Sequence, residues 1–170
     1  SLTLVHTVTA RSYAEPRHLV ISKDNKRVYL INEKGNYVTY YNFDDTTGTL
    51  TPVQIVSSLP ETYTGEGQAS AVVLHPSEDF LYATNRIHES IATYRINKET
   101  GFISNIAWNE TLGLTPRFAT ISTDSNALLV ANEDSDTIRI FTINPQSGML
   151  TYSGTTIETG SPTCIAFKTK

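Results

Sequence analysis

Arg27-Val28-Tyr29-Leu30-Ile31-Asn32-Glu33 returns as Phe80-Leu81-Tyr82-Ala83-Thr84-Asn85-Arg86 and again as Ala127-Leu128-Leu129-Val130-Ala131-Asn132-Glu133, at intervals of 53 and 47 residues. Landmarks on either side keep their offsets: Ile21, Leu74 and Ile121 precede each copy, and Val38, Ile91 and Ile138 follow it. Gly48, Gly101 and Gly148 close each unit as Gly-x-Leu or Gly-x-Ile. A repeat of this length, filled with short apolar runs and turn residues, is the signature of a β-propeller blade.

Each unit reads as four strands. An apolar run opens it (16–22, 69–75 and 116–122), a polar turn follows, and the quoted run comes next. An alternating run such as Ile138-Arg139-Ile140-Phe141-Thr142-Ile143 and a polar outer run after the glycine complete it. Continuous apolar runs suit inner strands buried on both faces, and alternation suits outer ones. No segment sustains a helical period. The chain is therefore expected to be all-β, with blades at about 16–59, 69–109 and 116–158.

The repeat register also assigns the ends. Residues 1–10 align with an outer fourth strand and 162–168 with an inner first strand, leaving an orphan strand at each end of three whole blades. Three blades cannot close a ring, and open blade faces expose apolar surface. The expectation is a C-terminal half of one propeller domain about twice as long. Its partner would be the N-terminal half, from a nicked or split chain, and the piece alone would be inactive.

Composition narrows the function classes. The 170 residues carry a formal net charge of −4 with a pI near 5.5, which gives no basic footprint for nucleic acid. No apolar stretch is long enough for a membrane-spanning helix. A lone cysteine, Cys164, fits a reducing compartment and hence the cytoplasm, with secretion left open; as an aligned inner-strand residue it reads as inert core. The four histidines, His6, His18, His75 and His88, lack metal-ligand spacing, and there is no Gly-x-Ser-x-Gly elbow or phosphate-cradling loop. An enzyme built on this chain is expected to use no metal, no cofactor and no covalent intermediate. Asn109-Glu110-Thr111 is a glycosylation sequon of the kind that arises often by chance.

Several short motifs, in order, resemble the lactonase family of seven-bladed propellers. They are Glu15-Pro16-Arg17-His18, Asn32-Glu33, Leu59-Pro60-Glu61, Asn85-Arg86 with His88-Glu89-Ser90-Ile91, Thr115-Pro116-Arg117-Phe118 and Ala131-Asn132-Glu133-Asp134-Ser135-Asp136. The family includes bacterial 6-phosphogluconolactonases of the propeller type and the fungal 3-carboxy-cis,cis-muconate lactonizing enzyme. Glu15 departs from the pattern, where the family usually has glycine.

Topology supplies an independent reason for some of these residues to meet. In an antiparallel meander the start of the first strand and the end of the second lie at one end of the blade. Arg17, His18 and Arg117 start first strands, and Glu33, Arg86 and Glu133 end second strands. All six should ring one mouth of the channel, with the loop 61–67 beside them. Arginine forks bind carboxylate or phosphate and stabilise oxyanions, and a carboxylate among them stays ionised for proton transfer. The resemblance assigns Arg17, Glu33 and Arg86 as catalytic; His18, Arg117 and His88 are candidates for substrate binding, with Glu133 a structural partner. Solvated rim residues and inter-blade ion pairs are the competing reading, and Arg86 read as a rim side chain would contribute little to folding.

The function implied is lactonase chemistry on an anionic small molecule. Hydrolysis like that of 6-phosphogluconolactonase leads, cyclisation of a carboxymuconate is the alternative within enzymes, and a non-catalytic scaffold propeller is the alternative outside them.

Overall fold

Alternation and turn chemistry account for almost every strand. The structure, a computed structural model, describes residues 2–168. The first blade is β1 (Pro16–Ile21), β2 (Arg27–Asn32), β3 (Tyr37–Asp44) and β4 (Thr49–Ser57). The second is β5 (Gln68–Leu74), β6 (Phe80–Arg86), β7 (Ser90–Ile96) and β8 (Ile103–Glu110). The third is β9 (Pro116–Ile121), β10 (Ala127–Asn132), β11 (Thr137–Ile143) and β12 (Leu150–Glu158). Each blade is an antiparallel meander in sequence order, and the first strands of the three lie side by side, β1 against β5 and β5 against β9. The one helical turn among the described residues is the 3-10 segment Glu133–Ser135.

The core consists of two seams between blades, and β6 shows how one strand serves both. Successive side chains of a strand point to opposite faces. Leu81 and Ala83 join Tyr29, Ile31, Val38 and Tyr40 in the first seam. Phe80 and Tyr82 join Leu128, Val130 and Phe141 in the second. Every residue of β6 is buried, whereas the outer β4, β8 and β12 alternate toward solvent. A strand packed on both faces needs apolar residues throughout, which is why the quoted run is continuous.

The outer hairpins repeat one device. Gly48, Gly101 and Gly148 have φ of +73°, +79° and +75°, a left-handed geometry that suits glycine. Their N–H groups donate to the carbonyls of Asp44, Asn97 and Asn144, whose side chains accept from the N–H groups of Thr46, Glu99 and Gln146. The hairpins also tie blades together. Tyr29 Oη donates to Gly101 O at 2.9 Å, and Tyr82 Oη donates to Gly148 O at 3.0 Å. The third copy has Leu129 at that position.

Of the expected orphan strands 1–10 and 162–168, residue 1 lies outside the described residues and residues 2–10 and 162–168 form no ladder here. An extended segment becomes a strand only against a partner edge, and neither segment pairs with an edge of the three blades described here. Val5 packs at the Gly48 hairpin, and the Arg11 guanidinium lies 5.8 Å from the Tyr37 ring centroid. Cys164 is exposed, which corrects the expectation of a core cysteine. The sequon is held in a seam: Thr111 is buried and Asn109 Nδ2 donates to Leu150 O at 3.3 Å. No helix among the described residues is long and apolar enough to cross a membrane.

Candidate functional site

Each first strand begins opposite the end of its second strand: Pro16 faces Asn32, Gln68 faces Arg86 and Pro116 faces Asn132. The register slips in each blade just beside these pairs. Bulges of this kind re-aim side chains and are common at sites. Here they turn charged residues of three blades toward one mouth.

Glu33 is the centre. Its Oε2 lies 3.1 Å from Arg17 Nε, and its Oε1 lies 2.7 Å from Arg86 Nη2. The side chains of Arg17, Glu33 and Arg86 are 17%, 24% and 10% exposed. Burial alone would raise the Glu33 pKa, but the Arg86 hydrogen bond and the charges of Arg86 and Arg17 outweigh it and hold the carboxyl below its ordinary value. Burial and the Arg86 charge pull Arg17 below its usual value, opposed by Glu33. Arg17 Nη1 also donates to Ser70 O at 2.8 Å, and Arg86 Nη2 to Ala69 O at 3.4 Å. Arg86 Nε is buried without a partner.

Arg86 is thus not the solvated rim side chain of the competing reading. It is buried, so its loss should weaken the fold as well as the site. The three candidate catalytic residues share a single carboxylate and do not form separate pairs.

His18 lies against this cluster, its ring nitrogens 3.1 and 3.3 Å from Arg17 Nη1. Burial, then the Arg17 charge, lowers its pKa and favours neutral imidazole. Arg117 stands a step away in the third blade, 3.1 Å from Glu133 and 42% exposed, with its charge felt at Arg17. His88 is not part of the arginine cluster. Its Nδ1 lies 2.7 Å from Ser90 Oγ, and its ring meets Tyr63 edge-on at 4.3 Å, so it anchors the loop 61–67. His75, at the opposite end, holds a turn through Ser77 Oγ and Ser125 O.

Sequence reasoning missed several residues here. Asn36 brackets the end of the loop, accepting from Ala69 N and donating to Gly67 O, both at 3.1 Å. Glu89 accepts from Ile87 N and Thr115 N, and burial raises its pKa. Ser70 occupies the slot that Arg17 and Arg117 hold in the neighbouring repeats, a signal present in the alignment. Glu15 and Thr115 precede the two prolines with φ of +51° and +56°, and their carbonyls accept from Glu33 N and Glu133 N. A left-handed residue is needed there, which explains why glycine is the family's choice at Glu15.

Three stacked four-stranded meanders, with an arginine–glutamate cluster where inner strands begin, define a propeller with a polar channel mouth. The chain belongs to the lactonase family of seven-bladed β-propellers, whose family model matches residues 1–167. It is 29% identical over 154 residues to the 6-phosphogluconolactonase of Bacillus subtilis (strain 168), covering 91% of this chain and 44% of that protein. The solved structure of the periplasmic gluconolactonase PpgL of Pseudomonas aeruginosa aligns with a TM-score of 0.87 at 28% identity, over 92% of this chain and 43% of that one. A solved Lactobacillus plantarum protein aligns with a TM-score of 0.90 at 25% identity, over 95% and 47%. The chain spans less than half the length of these relatives.

Proposed function

We propose that the complete protein is a metal-independent lactonase that hydrolyses an anionic sugar lactone, of the kind 6-phosphogluconolactonase acts on. The three blades described here would supply Arg17, Glu33 and Arg86 to its site, and the rest of a seven-bladed ring would complete the mouth. The observation that carries the reading is one ionised carboxylate shared by a half-buried and a buried arginine of adjacent blades.

Ester hydrolysis needs a water molecule made nucleophilic and an oxyanion stabilised as water adds to the carbonyl carbon. Glu33 takes the proton of the water. The guanidinium forks of Arg17 and Arg86 stabilise the oxyanion, and collapse expels the ring oxygen as an alcohol, which receives the proton. Arg117, the most exposed of the three arginines, suits the anionic substituent of the substrate. Neutral His18 is available for proton transfer beside Arg17. The single cysteine, Cys164, supports a cytoplasmic setting.

Cyclisation of a carboxymuconate is the second reading, because it too needs paired arginines for a polyanion and a carboxylate to move a proton. Assays of the complete protein against 6-phosphogluconolactone, gluconolactone and carboxymuconate test both readings. Fastest opening of the phosphorylated lactone is the expected result. Turnover of carboxymuconate alone would favour the second reading, and turnover of none would overturn both.

A further inference from the structure

The repeat places Arg17, Ser70 and Arg117 in one slot of three successive blades, and the odd member is small and fully buried. In the second blade the arginine stands instead at the end of β6, as Arg86, where the flanking blades carry Glu33 and Glu133. The exchange lets the start of β5 face arginines from both sides. Ser70 O accepts from Arg17 Nη1 of the first blade at 2.8 Å, and the adjacent Ala69 O accepts from Arg86 Nη2 at 3.4 Å. Ser70 Oγ donates to Pro116 O of the third blade at 2.6 Å, one residue before Arg117.

The hydroxyl has little freedom. Thr84 Oγ1 accepts from Ala71 N at 3.0 Å and lies 3.0 Å from Ser70 Oγ. Ser70 gives its proton to Pro116 O, so the Thr84 hydroxyl donates to Ser70. The chain runs Ala71 N–H, Thr84 Oγ1–H, Ser70 Oγ–H, Pro116 O, and each link polarises the next. It fills the bulge between Ala69 and Val72, where the ladder with β6 is interrupted. A buried and fully committed hydroxyl at a bulge is a device for fixing backbone positions.

We propose that Ser70 is the positioning residue of the site, setting the spacing of Arg17, Arg86 and Arg117 by joining the first strands of three blades. It touches none of the reacting atoms assigned above and acts through the arginines. The role in catalysis rests on the reading of Arg17, Glu33 and Arg86 as the reacting groups.

The test uses the complete protein and two readouts. The rate at which phenylglyoxal modifies each arginine is followed by peptide mass spectrometry, and lactone hydrolysis is followed in parallel. Ser70→Ala should raise the rate at Arg117 about fivefold, the change expected for one lost buried hydrogen bond. Arg27 and Arg95, remote from the mouth, should label as before. For the lactone, KM should rise about tenfold while kcat changes by less than about threefold, the pattern of lost anion binding. Ser58→Ala is the control, because Ser58 is equally buried but its Oγ has no partner; it should match the wild type in both readouts. If Ser70→Ala does not fold, Ser70→Cys keeps a weaker donor in the same place and should give a smaller rise at Arg117. Unchanged Arg117 labelling in the folded variant, or an equal rise at Arg27 and Arg95, overturns the proposal. A wild type that opens no lactone, with the Arg117 rise intact, overturns the lactonase reading and leaves the positioning role standing.

Discussion

Glu33 of the first blade and Arg86 of the second are joined across the blade boundary by a 2.7 Å ion pair, with Arg17 on the other carboxylate oxygen. The link is both a seam between blades and the centre of the candidate site. Substitutions here should therefore be read in stability and activity together.

Arg86→Ala should lower turnover of the preferred lactone by about 100-fold or more, the effect of losing one oxyanion donor. It should also cost about 2 kcal/mol of stability, because Glu33 loses a partner in a partly buried place where some solvent screening remains. Arg86→Lys should recover much of the stability but little of the turnover, since an ammonium cannot reproduce the fork. Steady-state kinetics and urea denaturation of the complete protein check both halves. Full lactonase activity in Arg86→Ala would remove Arg86 from the site.

Two depressed pKa values at the site, those of His18 and Glu33, contribute to the pH dependence of stability. The unfolded chain protonates His18 near 6.5 and Glu33 near 4.5, whereas the folded protein holds out to lower pH at both residues. The unfolded state thus binds more protons in these windows, so stability falls as pH drops. The loss begins as pH falls toward 6.5 and deepens below 4.5; above both values the contribution is complete. Denaturation midpoints from about pH 8 to about pH 3 should show this slope. Glu33→Gln should reduce the acid part of the slope and His18→Asn the earlier part, with His88 and the depressed aspartates supplying the remainder. A wild-type acid slope retained in Glu33→Gln would contradict the assignment.

Tyr82→Phe should destabilise the protein by about 1 kcal/mol, leaving the Gly148 carbonyl without its donor while the ring still fills the seam. Lactone kinetics should not change, since this bond lies at the opposite end of the blades from Glu33. A change in KM would show coupling between the two ends.

Glu15→Gly should stabilise the protein by up to about 1 kcal/mol, because φ at this exposed residue is +51° and only glycine adopts that region without steric cost. Thermal unfolding of the pair of proteins measures it. Destabilisation would mean that the Glu15 side chain does work not visible in its backbone geometry.

The repeat of Arg27–Asn32, Phe80–Arg86 and Ala127–Asn132 was legible in the chain because its causes are local. Side chains alternate every residue in a strand, both faces of an inner strand are buried, and the glycine of each outer hairpin needs a positive φ. Those rules account for three four-stranded antiparallel sheets, which run 16–57, 68–110 and 116–158. Strand polarity alone was also enough to bring Arg17, Glu33 and Arg86 to one mouth. Only the tertiary structure decided what they do there. Whether Glu33 pairs with one arginine or two, whether Arg86 is buried, and whether His88 faces the cluster or Tyr63 depend on contacts within and between blades, among residues about 16 to 53 positions apart. Ser70 makes the point most directly. Its slot in the repeat was visible, but its bond to Pro116 joins strands of two blades across 46 positions, a contact that no local rule of a single strand encodes.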